Sequence, residues 1–129
     1  MMAFQTRAQQ DLIIAMDLVT EVTSQSKETQ RIYGGLCHNF PVMVRTCGLC
    51  QAIAFSADKA GEGDRGAAHA LLLAHAANVL GAERQNVLDL VRNADAITYM
   101  QQTRQLLDAW IYFKRFAVSI LKAEPGQKD

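Results

Sequence analysis

The chain contains 129 residues, of which 50% are hydrophobic and 20% are charged. This length and composition are typical of one folded domain with a sizeable core, and they exclude a disordered chain. Lys and Arg total 13 and Asp and Glu total 13, so the formal net charge is +0 at pH 7. A neutral total excludes a protein that binds nucleic acid alone through bulk positive charge, so any contact with RNA or DNA must be local.

The placement of helix-breaking residues predicts an all-α protein. The chain has two prolines and eight glycines, and the glycines cluster between long runs without a breaker. We expect a single-domain compact bundle of five to six helices over residues 1–129, with a flexible tail at residues 123–129. In chain order, the predicted helices run from Phe4 to Thr23, from Lys27 to a weak point at Gly34-Gly35, from Pro41 to Lys59, from Ala67 to Leu80, around Val87–Val91, and from Ala96 to Lys122.

Apolar spacing predicts which face of each early helix lies in the core. In the first helix, apolar residues recur every three or four positions from Phe4 to Val22, and Asp11 lies off this stripe. Pro41 is predicted to begin the third helix, because proline suits a first turn and disfavours helix in the preceding residue. The third helix has almost no polar face, so it is expected at the centre of the bundle.

The later elements are predicted from their turns and caps. Residues 60–66 are expected to form a flexible turn before an alanine-rich fourth helix that can pack closely. Asp95 is expected to cap the last helix, in which apolar residues from Tyr99 to Ile120 keep the spacing of a buried face.

Three cysteines form the clearest motif for metal or redox chemistry. Cys47 and Cys50 make a CxxC, and Cys37 with His38 would complete a set of four zinc ligands. Structural zinc motifs place a CxxC in a turn, whereas this one is predicted inside an apolar helix, and no strand precedes it as in a thioredoxin-like site. We therefore expect buried free thiols and neither a metal nor another cofactor.

The other titratable residues do not form a recognisable catalytic motif. His69 and His75 are six residues apart, which places them on different faces of one helix, unlike an i, i+4 metal-binding pair. The sequence contains no nucleophile elbow, P-loop or paired-carboxylate signature. We expect a protein that is not an enzyme and has no small-molecule substrate. An enzyme that uses Cys and His is the alternative, supported only by the presence of those residue types.

The sequence favours a cytoplasmic protein. No signal peptide is recognisable at the N-terminus, and the odd cysteine count favours a reducing compartment. The most apolar stretch, residues 67–80, is shorter than the roughly 20 residues that a bilayer requires. We expect no contact with a membrane.

Charge is segregated along the chain although its total is zero. Residues 1–26 and 60–83 are net negative, whereas residues 27–59 and 84–122 are net positive. The two positive segments could together present a basic face, and the alternative is an ordinary solvated surface. Alternation of charge would also suit head-to-tail stacking of identical copies.

Arg45 stands out in the predicted third helix. It is the only charged residue between Pro41 and Ala57, so we expect it to emerge at an edge of the bundle. There it could pair with an acidic neighbour, reach a phosphate, or contact a partner subunit.

Two blocks of the sequence resemble a known family. The first reads YGGLCHNFPVMVR at Tyr33–Arg45 and continues with Gly48-Leu49, Gln51-Ala52 and Ala54-Phe55; the second holds Tyr99-Met100, Thr103-Arg104 and IYFKRFA at Ile111–Ala117. Together these blocks resemble the small subunit of the Cmr complex, the type III-B CRISPR RNA-guided effector.

The resemblance implies a non-catalytic helical subunit of a ribonucleoprotein that acts in antiviral defence. Its partners would be the backbone and large subunits of the Cmr complex, further copies of itself, and the guide and target RNA. Target RNA would lie in a groove between two filaments of subunits, and cleavage would belong to the backbone subunit. The alternative is a purely structural helical adaptor that contacts only protein.

At matching positions, the resemblance implies RNA contacts by Arg45 in the first block and by Arg104, Lys114 and Arg115 in the second. Arg31 is a further candidate on charge alone. A subunit that meets RNA only within an assembly needs few such cations, because neighbouring subunits supply the rest of the binding site.

Overall fold

Six α-helices make up the part of the chain that the structure, a computed structural model, describes: residues 4–123. They are α1 (Arg7–Val22), α2 (Lys27–Cys47), α3 (Leu49–Lys59), α4 (Gly63–Leu80), α5 (Val87–Arg92) and α6 (Ala96–Ser119). The predicted all-α bundle of five to six helices is confirmed. None of these helices is long and apolar enough to cross a membrane.

The helix at the centre is α4, which packs against each of the other five. Its alanines are small enough for the neighbouring helices to approach closely, and Ala68, Ala76 and Ala77 are buried. The expectation that a helix from Pro41 to Lys59 fills the centre is wrong. Those residues are divided between two helices, and the side chain of Val42 is 60% exposed.

α2 continues through both Gly34-Gly35 and Pro41, where the sequence predicted a weak point and a boundary. Pro41 has no backbone N–H, so the carbonyl of Cys37 lacks its usual helical partner. The helix persists because Phe40 and Pro41 are both buried, and the ring of Phe40 lies 4.7 Å from that of Trp110 in α6. Tertiary packing therefore outweighs the local effect of proline.

α1 begins three residues later than predicted, and its core stripe is confirmed at Ala15, Val19 and Val22 but not in the first turns. Thr6 caps the helix by accepting a hydrogen bond from the Gln9 N–H. Phe4 precedes the helix and is 91% exposed, whereas Asp11, predicted to lie off the core face, is only 6% exposed. Burial raises the pKa of Asp11, and the nearby Arg7 opposes that shift.

α4 begins at Gly63, within the segment 60–66 that was predicted to be a flexible turn. The Asp64 carboxylate accepts hydrogen bonds from the hydroxyls of Ser26 and Thr29 at 2.7 and 2.8 Å, which lowers its pKa. This contact ties the first turn of α4 to the start of α2 and orders the segment.

Helix caps and the short fifth helix follow the predictions. Asp95 caps α6 by accepting a hydrogen bond from the Thr98 N–H at 2.8 Å, and α5 buries Val87 and Val91. The tail predicted at residues 123–129 lies outside the described residues except for Ala123. Ala123 is buried against α2, so the flexible tail does not begin there.

Gly34 provides the space for that contact. A Cβ atom on Gly34 would lie 2.4 Å from the Cβ of Ala123. The absence of a side chain therefore allows the segment that follows α6 to pack directly on the α2 backbone.

Two buried polar groups connect α2 to α4. Tyr33 Oη and His75 Nδ1 lie 2.6 Å apart and share a hydrogen bond. The His75 ring stacks on Phe113, which in turn stacks on Trp110. Burial lowers the pKa of His75 to about 4, so the imidazole is neutral in the folded protein near neutral pH.

We predict that Gly34→Ala destabilises the protein by about 1–3 kcal/mol, because the added methyl group overlaps Ala123. The higher helix propensity of alanine offsets less than about 1 kcal/mol of this loss. Chemical denaturation measures the free energy of unfolding. Gly61→Ala is the control, since a Cβ there meets nothing within 4 Å. Greater stability of Gly34→Ala would contradict the assigned contact.

We predict that acid destabilises the fold through His75. Its folded pKa is about 4 and its unfolded pKa is near 6.5, so between these values the unfolded chain binds more protons. Stability is therefore lost as the pH falls from about 6.5 towards 4, by up to about 3 kcal/mol.

His75→Gln should flatten this dependence, because glutamine keeps a polar partner for Tyr33 without titrating. Denaturation curves of the wild type and His75→Gln from pH 7.5 to 4 make the comparison. An unchanged slope in His75→Gln would assign the acid effect to other groups.

Candidate nucleic-acid interface

Antiparallel packing of α2 against α6 builds the candidate interface. Gly34 lies against Ala123 at one end, Phe40 against Trp110 in the middle, and Gly48 near Tyr99 at the other end. The two family-like sequence blocks therefore lie side by side in space.

A groove opens to solvent along this seam, and we call it the α2–α6 groove. It consists of two adjoining pockets of about 380 and 550 Å³, which share Arg45 and Leu107. The first pocket is lined by His38, Pro41, Arg45, Leu107, Ile111, Lys114, Arg115 and Val118, and the second by Arg45, Tyr99, Met100, Thr103, Arg104, Leu107 and Asp108.

Four of the five candidate RNA-contacting residues line this groove. Arg45 projects from the last turn of α2, and it is exposed at an edge of the bundle, as predicted. Arg104, Lys114 and Arg115 project from α6. Arg45 of α2 therefore lies along one surface with three cations of α6.

The fifth candidate, Arg31, does not line either pocket. It lies on α2 about 21 Å from Arg45, given the rise of an α-helix. Its guanidinium forms a salt bridge with Glu28 at 2.7 Å, and this hydrogen bond lowers the pKa of Glu28.

The electrostatics of the groove suit an anion. No carboxylate lines the first pocket, where Arg45, Lys114 and Arg115 meet. Asp108 lines the second pocket, but its carboxylate forms a salt bridge with Arg7 of α1 at 3.1 Å. Guanidinium and ammonium groups converging on an open groove are the usual partners of phosphate oxygens.

Exposed apolar side chains share this surface with the cations, and they were not among the residues predicted from the sequence. Ile97, Met100, Ile111 and Val118 are exposed on α6, and Ile111 is 64% exposed. Met100 follows Ile97 by three residues, and Val118 follows Ile111 by seven. Arg104 lies between these two pairs, four residues after Met100 and seven before Ile111. Such intervals place all five residues on one face of the helix, and they are the sequence signal of a second apolar stripe. An exposed apolar surface of this kind is typical of contact with another macromolecule.

The CxxC does not lie inside a helix as predicted. Gly48, between its two cysteines, has a φ of 90° and separates α2 from α3. All three cysteines are free, but only Cys37 is buried, and burial raises its thiol pKa to about 12. The expectation of buried thiols is therefore wrong for Cys47, which is exposed. Within residues 4–123, no three His, Cys, Asp or Glu residues are grouped so that they could hold a metal ion.

Tyr99 stabilises the helix break from the opposite side of the groove. Its Oη accepts a hydrogen bond from the Cys50 N–H at 2.9 Å, which satisfies an amide in the first turn of α3. A cap from another helix has no local sequence signal, which is why the break at Gly48 was not predicted.

Comparisons with known proteins identify the family of the chain. The family model for the CRISPR-associated protein Cas_Cmr5 matches residues 7–120. The chain belongs to the Cas_Cmr5 family. The resemblance carried by the two sequence blocks is thereby confirmed.

Relatives of the family share both sequence and fold with the chain. It is 34% identical over 91 residues to the CRISPR system Cmr subunit Cmr5 of Thermus thermophilus, covering 70% of this chain and 75% of the relative. The crystal structure of a CRISPR-associated Cmr5 family protein from the same organism is similar, with a TM-score of 0.77 and 32% identity, covering 91% of this chain and 98% of that one.

We predict that Tyr99→Phe destabilises the fold by about 1–2 kcal/mol, because it leaves the Cys50 N–H without its acceptor. Thermal or chemical denaturation measures the loss, and hydrogen exchange should show faster exchange at the first turn of α3. Tyr112→Phe removes an equivalent hydroxyl elsewhere on α6 and is the control. Equal stability of both variants and the wild type would contradict the capping role.

Proposed function

We propose that the chain is a non-catalytic small subunit of a Cmr ribonucleoprotein, the type III-B CRISPR effector, and that its α2–α6 groove holds the backbone of target RNA. Family membership supports the assembly. The convergence of Arg45, Arg104, Lys114 and Arg115 on one open groove supports the RNA contact. This convergence is the observation that carries the proposal.

The neutral net charge is compatible with this role. A free subunit with four clustered cations and a total charge of +0 gains little from bulk attraction to RNA. Within an assembly, neighbouring subunits hold the RNA close, so a few phosphate contacts are sufficient to position it.

Further copies of the chain are proposed as partners, together with the backbone and large subunits. α1 exposes Ile13 and Met16 beside the acidic Asp17 and Glu21. This apolar and acidic face of α1 lies outside the α2–α6 groove, so it supports a heterologous contact with another copy that leaves the groove open to RNA.

A purely structural adaptor is the second candidate function. The exposed apolar stripe on α6 favours it, because RNA phosphates do not need apolar neighbours. In that case the cations of the groove would contact acidic residues of another subunit.

We predict that Arg45→Ala and Arg115→Ala each weaken retention of target RNA by the reconstituted complex by about threefold to tenfold, while the isolated chain stays folded. The loss of one phosphate contact should also reduce the slope of log affinity against log salt by about 0.7–1. Affinity is measured for the intact ribonucleoprotein at several salt concentrations.

Lys59→Ala is the matched control, since it removes the same charge from a residue that does not line the groove. Native mass spectrometry of each complex checks that the copy number is unchanged. Equal RNA affinity of wild type and both groove variants at every salt concentration would contradict the RNA contact. Loss of the subunit from the complex in the groove variants would support the adaptor instead.

A further inference from the structure

The inward face of α1 contains a carboxylate at a position of the core stripe. The buried residues of this helix are Asp11, Ala15, Val19 and Val22, at intervals of four, four and three residues. The last three belong to the hydrophobic core, whereas Asp11 is charged and only 6% exposed. A carboxylate withdrawn from water in this way costs free energy unless a partner compensates it.

Asp11 has no such partner within residues 4–123. Its carboxylate forms no hydrogen bond and no salt bridge there, because the guanidinium of Arg7, one turn earlier, donates instead to Asp108 of α6 at 3.1 Å. The side-chain atoms in this part of the chain that are both unpartnered and sealed from solvent do not include either oxygen of Asp11. The carboxylate can therefore be reached from outside.

Asp11 lines a pocket of about 400 Å³ between the start of α1 and the middle of α6, which we call the α1–α6 pocket. Its other lining residues are Arg7, Ala8, Asp108, Ile111 and Tyr112. Two carboxylates and one guanidinium leave the pocket with one uncompensated negative charge. Within residues 4–123 no group of three His, Cys, Asp or Glu forms here or elsewhere, so the pocket lacks the ligand set of a metal centre.

The neighbouring charges favour a cation beside Asp11. Burial raises the pKa of Asp11, the positive charge of Arg7 lowers it, and repulsion by Asp108 raises it. The two carboxylates therefore repel each other across the pocket. A positive charge placed between them would stabilise both.

We propose that the α1–α6 pocket binds the ammonium group of a lysine side chain from a neighbouring protein subunit. An ammonium is a compact charge with three donors on a narrow, flexible stem, so it can reach a carboxylate that is more than nine-tenths buried and contact Asp108 as well. A guanidinium is a wider planar group, and Arg7 already supplies one to Asp108.

The apolar rim of the pocket favours a protein side chain over a free amine. Ile111 lines the pocket and is 64% exposed, and Tyr112 beside it is partly exposed. The four-carbon stem of a lysine can pack on these side chains, and the protein surface that carries the lysine would cover the rest of Ile111. The contact does not require RNA, so the inference goes beyond the proposed function.

The first test uses the isolated chain and n-butylammonium chloride as the probe. Carbon NMR follows the side-chain carboxyl of Asp11 during a pH titration. A bound ammonium favours the ionised carboxylate, so the titration midpoint should fall by at least about 0.5 pH unit and saturate with added probe.

Tetramethylammonium chloride at the same concentrations is the control, because it carries the same charge but has no N–H donor. The carboxyl of Asp17, which is exposed on the same helix outside the pocket, should respond equally to both salts. Equal responses of Asp11 to both salts would overturn the proposal, because they would show screening without binding.

The second test treats the reconstituted complex with a water-soluble carbodiimide, which joins a carboxylate directly to an amine that contacts it. Mass spectrometry should identify a link from Asp11 or Asp108 to a lysine of a neighbouring subunit, whether a further copy of this chain or a different protein. Replacement of that lysine by arginine should remove the link. Links from other carboxylates of this chain but none from Asp11 or Asp108 would overturn the proposal.

A matched pair of variants measures the contribution of the contact to assembly. Asp11→Asn should weaken incorporation of the chain into the complex by about threefold to tenfold, because the amide keeps the shape of the side chain without its charge. Asp17→Asn removes the same charge from the exposed surface of α1 and serves as the control.

Competition between tagged wild-type and variant chains during reconstitution gives the ratio, and circular dichroism checks that both variants are folded. Equal incorporation of Asp11→Asn and Asp17→Asn would overturn the proposal. Both variants leave the cations of the α2–α6 groove intact, so failure here is distinguishable from failure of the RNA contact.

Discussion

The antiparallel packing of α2 against α6 is the constraint on which the rest of the structure depends. It buries Phe40 against Trp110, and it connects to α4 through Phe113 and His75. The same packing places Arg45 of α2 beside Arg104, Lys114 and Arg115 of α6. The core and the candidate RNA surface are therefore two sides of one helix pair, so a change in their register would disturb both.

The zero net charge conceals surfaces of opposite charge. The α2–α6 groove gathers cations beside apolar side chains, whereas α1 exposes Asp17 and Glu21 beside Ile13 and Met16. Such segregation is of little use to a monomer in solution, where exposed pairs contribute little stability. It is useful in an assembly, because complementary charges orient neighbouring molecules and disfavour incorrect contacts. A neutral chain can thus be specific for several partners at once.

The sequence predicted the helices from local patterns, and it predicted the four groove cations from its resemblance to a family. The spacing of Leu106, Trp110, Phe113 and Ala117 marks the buried face of α6, and the two family-like blocks mark Arg45 and the α6 cations. The errors have a common cause, which is that contacts between distant residues override local signals. Phe40 and Trp110 hold a helix across Pro41, and Tyr99 caps a new helix after Gly48.

The central claim is that target RNA lies along the α2–α6 groove, and crosslinking within the intact complex tests it most directly. Target RNA that carries 4-thiouridine would be irradiated in the reconstituted ribonucleoprotein, and the attached peptides would be identified by mass spectrometry. The account predicts crosslinks in this chain at the C-terminal half of α2 and at α6 between Thr103 and Val118. Crosslinks in this chain confined to other helices, or their absence while the backbone subunits crosslink normally, would contradict it.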